Sequence, residues 1–223
     1  MDASTASVRD SSRQQESQAD SRPPVWVVDD DPAVCASLRR LLSTMAFGVE
    51  TFSSAGDALK TLDRTRPRCA VVDLAMPGLS GLDFLEILLE RGEPIPVVFM
   101  SGQADVGSSV EAMKRGAIDF LQKPVDASAL VAAVMRGLAR EAEWRRCRAR
   151  VTEATHLLEA LTPREREVML QVATGRSNKE IAAELGTSEK TIKVHRGRVM
   201  HKLSATSVVD LVHIAERAGA IAA

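Results

Sequence analysis

The stretch RCAVVDLAMPGLSG, residues 68–81, carries an apolar run into a single carboxylate, Asp73, and then breaks at Pro77 and Gly78. A short β-branched run closed by turn residues reads as a strand buried on both faces, the kind found in parallel sheets covered by helices on each side. The same grammar recurs outward in both directions. Strands are expected at 25–29, 49–52, 69–73, 95–101 and 118–121, with amphipathic helical patterns between them at 32–45, 55–63, 82–90 and 106–115. Five strand–helix units predict a doubly wound, five-stranded parallel sheet of flavodoxin-like type. Such sheets bind ligands at the carboxyl ends of their strands, which is where Asp73 falls.

At 223 residues the chain is long enough for two modest cores. A net charge of −1 excludes a uniformly basic surface but leaves room for a local patch. Residues 1–23 are polar and are expected to be a disordered tail. They contain no apolar segment of the signal-peptide kind, and no later run is long enough to span a bilayer, so the sequence predicts a cytoplasmic protein without a membrane partner. Cys35, Cys69 and Cys147 are far apart and read as free thiols; His156, His195, His201 and His213 form no ligand cluster.

Beyond Lys123-Pro124, Asp126 can cap a helix bearing Leu130, Val134 and Leu138, which continues into the charged residues 140–146. The expected organisation is a first domain over 24–140, a helical linker over 141–158 and an all-helical domain over 159–223. The linker charges read as a solvated face, because a dimer-forming coiled coil needs more heptads than are present. In the helical domain, Thr162, Pro163 and Glu165 combine a cap, a proline at the first helical position and a capping box. Ser177 and Glu180 repeat the box, Thr187-Ser188 follow Gly186, and Ser207 with Asp210 start a last helix. Four short helices with a Gly-containing turn between the second and third form a helix-turn-helix pattern.

Asp29 and Asp30 end the first strand and Asp73 the third, and those strands can be neighbours. Three carboxylates at one edge repel unless a cation compensates, and an all-oxygen cluster suits Mg²⁺. Ser101 ends the fourth strand and Lys123 follows the fifth, adding a hydroxyl and a fixed cation. A carboxylate nucleophile, a metal, a hydroxyl and an ammonium are what phosphoryl transfer to an aspartate requires.

The elements VVDDDP, VVDLAMPGLSGLDFL, FMSGQADV and EAMKRGAIDFLQKP, in this order, resemble the receiver domain of two-component response regulators. The resemblance implies that Asp73 is the phospho-acceptor and that Asp30, Asp73 and the backbone carbonyl of Ala75 bind Mg²⁺, with Asp29 supporting the metal through water. It implies that Ser101 and Lys123 contact the phosphoryl oxygens, that the Lys123–Pro124 bond is cis, and that Ser101 and Phe120 form the switch. Ala75 and Gln103 would lie near the path of hydrolysis. Two charge-assisted hydrogen bonds of about 1.5–3 kcal/mol each supply about 3–6 kcal/mol, against the roughly 5.5 kcal/mol needed to invert a 1:99 equilibrium, enough to shift the population substantially.

Lys190, Lys193, Arg196, Arg198 and Lys202 share one helix with no acid after Glu189. Ile192, Val199 and Leu203 make its core-facing stripe, which leaves Lys190, Lys193, Val194, Gly197 and His201 on another face. Its place after a helix-turn-helix glycine favours a DNA-recognition helix over a merely solvated cationic one. The stretch NKEIAAELGTSEKTIKVHRGRVMHKL resembles the LuxR-type domain of NarL/FixJ regulators. That implies DNA contacts from Lys190, Thr191, Lys193, Val194, His195, Arg196 and Arg198, with Gly197 lacking a polar side chain that some relatives present.

Together the resemblances imply a FixJ-like regulator, with a sensor histidine kinase, promoter DNA and RNA polymerase as partners. Phosphorylation would favour a homodimer and transcription activation, with no enzymatic turnover beyond the chain's own phosphorylation and dephosphorylation. A phosphate-independent dimerisation module would not need Asp29, Asp30, Asp73, Ser101 and Lys123 together. A phosphatase of the haloacid dehalogenase type would carry a second acid where this chain has Ala75.

Overall fold

The structure, a computed structural model, describes residues 24–62, 66–102 and 106–221. The tail expected over 1–23, the end of the helix expected at Asp63, and Gln103 lie outside the described residues. The chain divides into two compact units, the second being Arg145–Ala223.

In the first unit, β1 (Pro24–Val28), β2 (Gly48–Phe52), β3 (Cys69–Asp73), β4 (Val97–Ser101) and β5 (Asp119–Gln122) form one parallel sheet in the order β2-β1-β3-β4-β5. Interleaved are α1 (Pro32–Thr44), α2 (Ala55–Thr61), α3 (Gly81–Glu90), α4 (Val106–Lys114) and α5 (Ala127–Glu159). Strand side chains alternate between two cores, as the period of two requires. Trp26, Val28, Ala70, Val72, Val97 and Phe99 pack with Leu59, Phe84, Leu88 and Ala112 of α2, α3 and α4. Val25, Val27, Cys69, Val71, Val98 and Met100 pack with Leu38, Leu42, Leu130 and Val134 of α1 and α5. Trp26 is tolerated in a buried strand because its indole Nε1 donates to Glu50 at 2.8 Å.

Several boundaries differ from the sequence reading by a residue or two; β1 covers Pro24–Val28, so that Asp29 follows the strand rather than ending it. β4 begins at Val97 rather than at Ile95, because Pro96 has no N–H for the ladder; its carbonyl instead accepts from Ala70 N at 2.9 Å. β5 is shifted to Asp119–Gln122, with Phe120 N–H donating to the Asp119 side chain. α5 is a single helix of 33 residues. Asp126 accepts from Ala129 N at 2.9 Å at its start, and after Gly137 no glycine or proline interrupts it. Gly137 lets α5 approach the sheet, since a Cβ there would lie 2.6 Å from Cys69 Sγ.

In the second unit, α6 (Pro163–Ala173), α7 (Asn178–Glu184), α8 (Glu189–Lys202) and α9 (Val208–Arg217) pack around Val168, Met169, Ile181, Ile192, Val199, Leu203 and Leu211, joined by Leu158 from α5. Capping boxes close at Thr162/Glu165, Ser177/Glu180 and Ser207/Asp210, and Ser188 caps α8. Gly175 and Gly186 adopt positive φ after α6 and α7, where an L side chain is unfavourable. Among the described residues no helix is long and apolar enough to cross a membrane.

Candidate functional site: an acidic pocket and a basic helix

The order β2-β1-β3 makes β1 and β3 neighbours, so their carboxyl ends bring Asp29 and Asp73 together from 44 residues apart in sequence. Asp29 is fully buried, Asp73 nearly so, and Asp30 is exposed. One carboxylate oxygen from each lies within 4.8 Å of the others. Lys123, just past β5, answers this charge: its Nζ donates to Asp29 Oδ2 at 2.7 Å and to Asp73 Oδ2 at 2.9 Å. Burial pulls the ammonium pKa down, but these bonds outweigh it and the net shift is upward. Asp29 Oδ1 accepts from Asp31 N at 3.0 Å, and Asp31 caps α1 by accepting from Ala33 N at 2.8 Å. Asp31 is thereby engaged in capping the helix.

Asp73, Leu74, Ala75, Ser101, Gly102, Ser108 and Lys123 line a cavity of about 470 Å³. Ser101 is buried at the end of β4, and the Ala75 N–H reaches toward Asp73 Oδ1 at 3.4 Å. The Lys123–Pro124 peptide is cis. Phe120 is half-buried, packed against the core on the α2–α4 side. The donor set is all oxygen, with one exposed and two buried carboxylates, and it fits a hard divalent cation of the Mg²⁺ type held by Asp29, Asp30 and Asp73. Ser108, in the first turns of α4, joins the cavity although nothing in its immediate sequence marks it; only the position of α4 after β4 points its start at this edge.

In the second unit, α8 presents Lys190, Thr191, Lys193, Val194 and Arg198 to solvent, with Val194 49% exposed. Ile192 and Val199 anchor the opposite face. Thr191 N–H closes the Ser188 cap at 3.1 Å. Gly197 faces open space. Two of the sequence-predicted contacts are turned partly inward. Arg196 is half-buried and donates to Asn178 Oδ1 at 3.2 Å, bracing α8 against α7, and His195 Nδ1 is buried without a partner among the described residues.

Lys202, at the end of α8, is an internal strut. Its Nζ donates to Glu165 Oε2 at 2.7 Å and to the Ala160 carbonyl at 3.0 Å. The Lys202 bond, with that from Thr162 N–H, holds the Glu165 carboxyl down at about 2. A depressed folded-state pKa contributes stability that is full above the unfolded value of about 4.3 and is lost as pH falls toward about 2. The Glu165 side chain is 4% exposed and that of Lys202 35%. Lys202→Met is therefore expected to cost the second unit about 1–3 kcal/mol, below the range for fully enclosed pairs, and to blunt its acid sensitivity. Urea unfolding of the two proteins between pH 7 and pH 2.5 checks this; equal stability at neutral pH would show that the strut carries no net energy.

Comparison with known proteins agrees with both halves of this arrangement. Residues 25–135 match the response regulator receiver domain, and residues 159–215 match the bacterial regulatory proteins of the luxR family. Nodulation protein W of Bradyrhizobium diazoefficiens is 40% identical over 91% of this chain and 89% of its own length. The transcriptional regulatory protein FixJ of Azorhizobium caulinodans is 44% identical over 88% and 93%. Among solved structures, the response regulator StyR superposes with a TM-score of 0.77 at 42% identity, covering 88% of this chain and all of StyR. Full-length FixJ from B. japonicum gives a TM-score of 0.55 at 38% identity over 89% and 98%. The chain belongs to the two-component response regulators of the NarL/FixJ family, in which a receiver domain is followed by a LuxR-type DNA-binding domain.

Proposed function

We propose that Asp73 accepts a phosphoryl group from a sensor histidine kinase and that this modification promotes DNA binding by the LuxR-type domain. The observation that carries the reading is the convergence of the Asp29 and Asp73 carboxylates on the Lys123 ammonium, beside Ser101 in one cavity. An Asp73 carboxylate oxygen attacks phosphorus, the phosphorus–nitrogen bond to the donor imidazole breaks, and the kinase histidine leaves with the electron pair. Asp30, Asp73 and the Ala75 carbonyl would hold Mg²⁺, with Asp29 supporting it through water, and the bound ion would supply positive charge at the site of transfer. Lys123 and Ser101 then hold the product, with Ser101 and Phe120 coupling it to a homodimerising face.

Lys190, Thr191, Lys193, Val194 and Arg198 meet DNA, with His195 and Arg196 at the margin of that surface. Two such helices reach half-sites about one helical turn apart. The organisation is a receiver over 24–140, a helical linker over 141–158 and the DNA-binding domain over 159–223. The output is activation through RNA polymerase at a promoter, in the cytoplasm, and the only turnover is the chain's own phosphorylation and dephosphorylation.

Intact mass after incubation with Mg²⁺ and acetyl phosphate, with DNA binding followed in the same samples, tests the reading. The wild type is expected to gain one phosphoryl group and to bind DNA more tightly, and Asp73→Asn to do neither. Wild-type protein that stays unmodified while binding DNA unchanged would favour the phosphate-independent module instead.

A further inference from the structure

The exposed middle of α5 carries charge that neither the acidic pocket nor the cores use. Arg145, Arg146, Arg148 and Arg150 are all exposed, and none has a carboxylate partner among the described residues. Some other arginines are matched, Arg136 with Asp119, Arg140 with Glu143, Arg164 with Glu167 and Arg176 with Glu184, and those without a carboxylate, such as Arg40 and Arg91, nowhere else stand four within six residues. At 3.6 residues per turn the four guanidinium-bearing positions share an arc of about 200°, in which the remaining position is Ala149. The complementary arc carries Trp144, Cys147 and Val151 and runs on to Ala154 and Leu158, both buried. Only Ala154 and Leu158 of that stripe are buried, Cys147 and Val151 being exposed, and all four arginines are left to solvent.

This density is unfavourable in isolation. Arg146 and Arg150 are four residues apart and Arg145 and Arg148 three, spacings at which like charges on a helix repel. The near-neutral total hides the asymmetry that results. Residues 145–223 hold 14 Lys and Arg against 9 Asp and Glu, a net charge of +5, whereas residues 1–144 hold 15 against 21. Within 145–158 the four arginines face one acid, Glu153, so this short segment supplies +3 of that +5.

We propose that the basic arc is a second nucleic-acid contact, in which Arg145, Arg146, Arg148 and Arg150 bind phosphodiester groups of the duplex outside the base pairs read by α8. The proposal rests on the DNA-binding reading of the second unit. A polyanion fits better than a small anion, because the four positions extend along about 7.5 Å of helix axis and one compact anion would engage only some of them. Duplex DNA carries a charge about every 1.7 Å of its axis, a density at which several guanidiniums of the arc can find phosphates at once. Arginine, always charged and able to grip two phosphate oxygens at once, suits this role. Because the arc lies in the same compact unit as α8, its contact becomes intramolecular once α8 is engaged. It adds affinity without adding sequence preference.

The test is the salt dependence of binding of the full chain to a fluorescein-labelled random-sequence duplex, followed by anisotropy from about 50 to 200 mM salt. With all four arginines changed to Gln, the slope of log affinity against log salt is expected to fall by about 2–4, and affinity at the lower salt by tenfold or more. Changing all four to Lys is expected to restore most of the slope. The pairs R145Q/R146Q and R148Q/R150Q are expected each to remove about half the effect, which keeps the result readable if the fourfold variant folds poorly by circular dichroism. Folded Gln variants with wild-type slope and affinity would overturn the proposal and reassign the arc to an acidic protein or to solvent. Wild-type protein that fails to bind the duplex at any salt even after incubation with Mg²⁺ and acetyl phosphate would instead overturn the DNA-binding reading beneath it.

Discussion

Lys123→Met is expected to destabilise the metal-free first unit by about 3 kcal/mol, a fall of roughly 10 °C in its melting transition. The Lys123 ammonium makes 2.7 and 2.9 Å bonds to Asp29 and Asp73, and these side chains are 0% and 9% exposed. Without it, carboxylates within 4.8 Å of one another keep their repulsion and lose their partner. Removing one member of an enclosed ion pair costs about 3–5 kcal/mol, and the partial exposure of Lys123 places the change at the low end. The upward pKa shift of Lys123 sets the pH range. A group whose folded pKa is raised contributes fully below its unfolded value, about 10.4, and loses that contribution as pH climbs through the folded one. The penalty should therefore be the same at pH 6 and pH 8. A divalent cation restores positive charge to the cluster, so Mg²⁺ should raise the melting temperature of the variant more than that of the wild type. Melts with and without Mg²⁺ decide the matter; a variant that melts with the wild type in the absence of metal would show that the ion pairs contribute nothing net.

The second large effect is expected from a steric clash rather than from lost charge. A Cβ on Gly81 would lie 2.5 Å from the Asp73 carbonyl oxygen, 3.0 Å from Leu74 Cα and 3.0 Å from Phe99 Cε1. Two of these three obstacles are backbone, and the Gly81 N–H also donates to the Leu74 carbonyl at 3.0 Å. Neither a rotamer change nor a small tilt relieves the clash, so either the start of α3 or the end of β3 must move. Gly81→Ala is expected to cost about 3 kcal/mol, the upper part of the overpacking range, and to slow acetyl phosphate labelling because the displaced segment is the one that carries Asp73. Gly78→Ala is the matched control. Gly78 has φ +81° and open space around its Cβ direction, so an alanine there meets only the left-handed backbone penalty of about 1–2 kcal/mol and should leave labelling intact. Urea unfolding and labelling rates of the two variants would refute the argument if Gly78→Ala proved the more damaging.

Much of this molecule is written in local chemistry. The strand 69–73 is legible because its side chains are apolar on both faces and Pro77 and Gly78 stop it. The helix starts at Thr162, Ser177 and Ser207 are legible because a capping box needs only a hydroxyl and an acid three residues apart. The candidate acids could be placed at strand ends from the same local rules. Distances through space were not legible. That Lys123 bonds both Asp29 and Asp73, 94 and 50 residues away, follows from the order β2-β1-β3-β4-β5, which no local pattern encodes. Ser108 reaches the cavity only because α4 is packed beside β4 and β5. Three members of the basic helix, read alike from their charge or polarity, part company once α7 and α6 are packed against it. Arg196 braces α7, His195 turns Nδ1 inward, and Lys202 ties Glu165 and Ala160. The sequence by itself determined the two-domain plan, the elements and the candidate chemistry, because caps, turns and periodicity act over three or four residues. Only the tertiary structure decided which charges meet and which stay free, because those pairings depend on how whole elements pack.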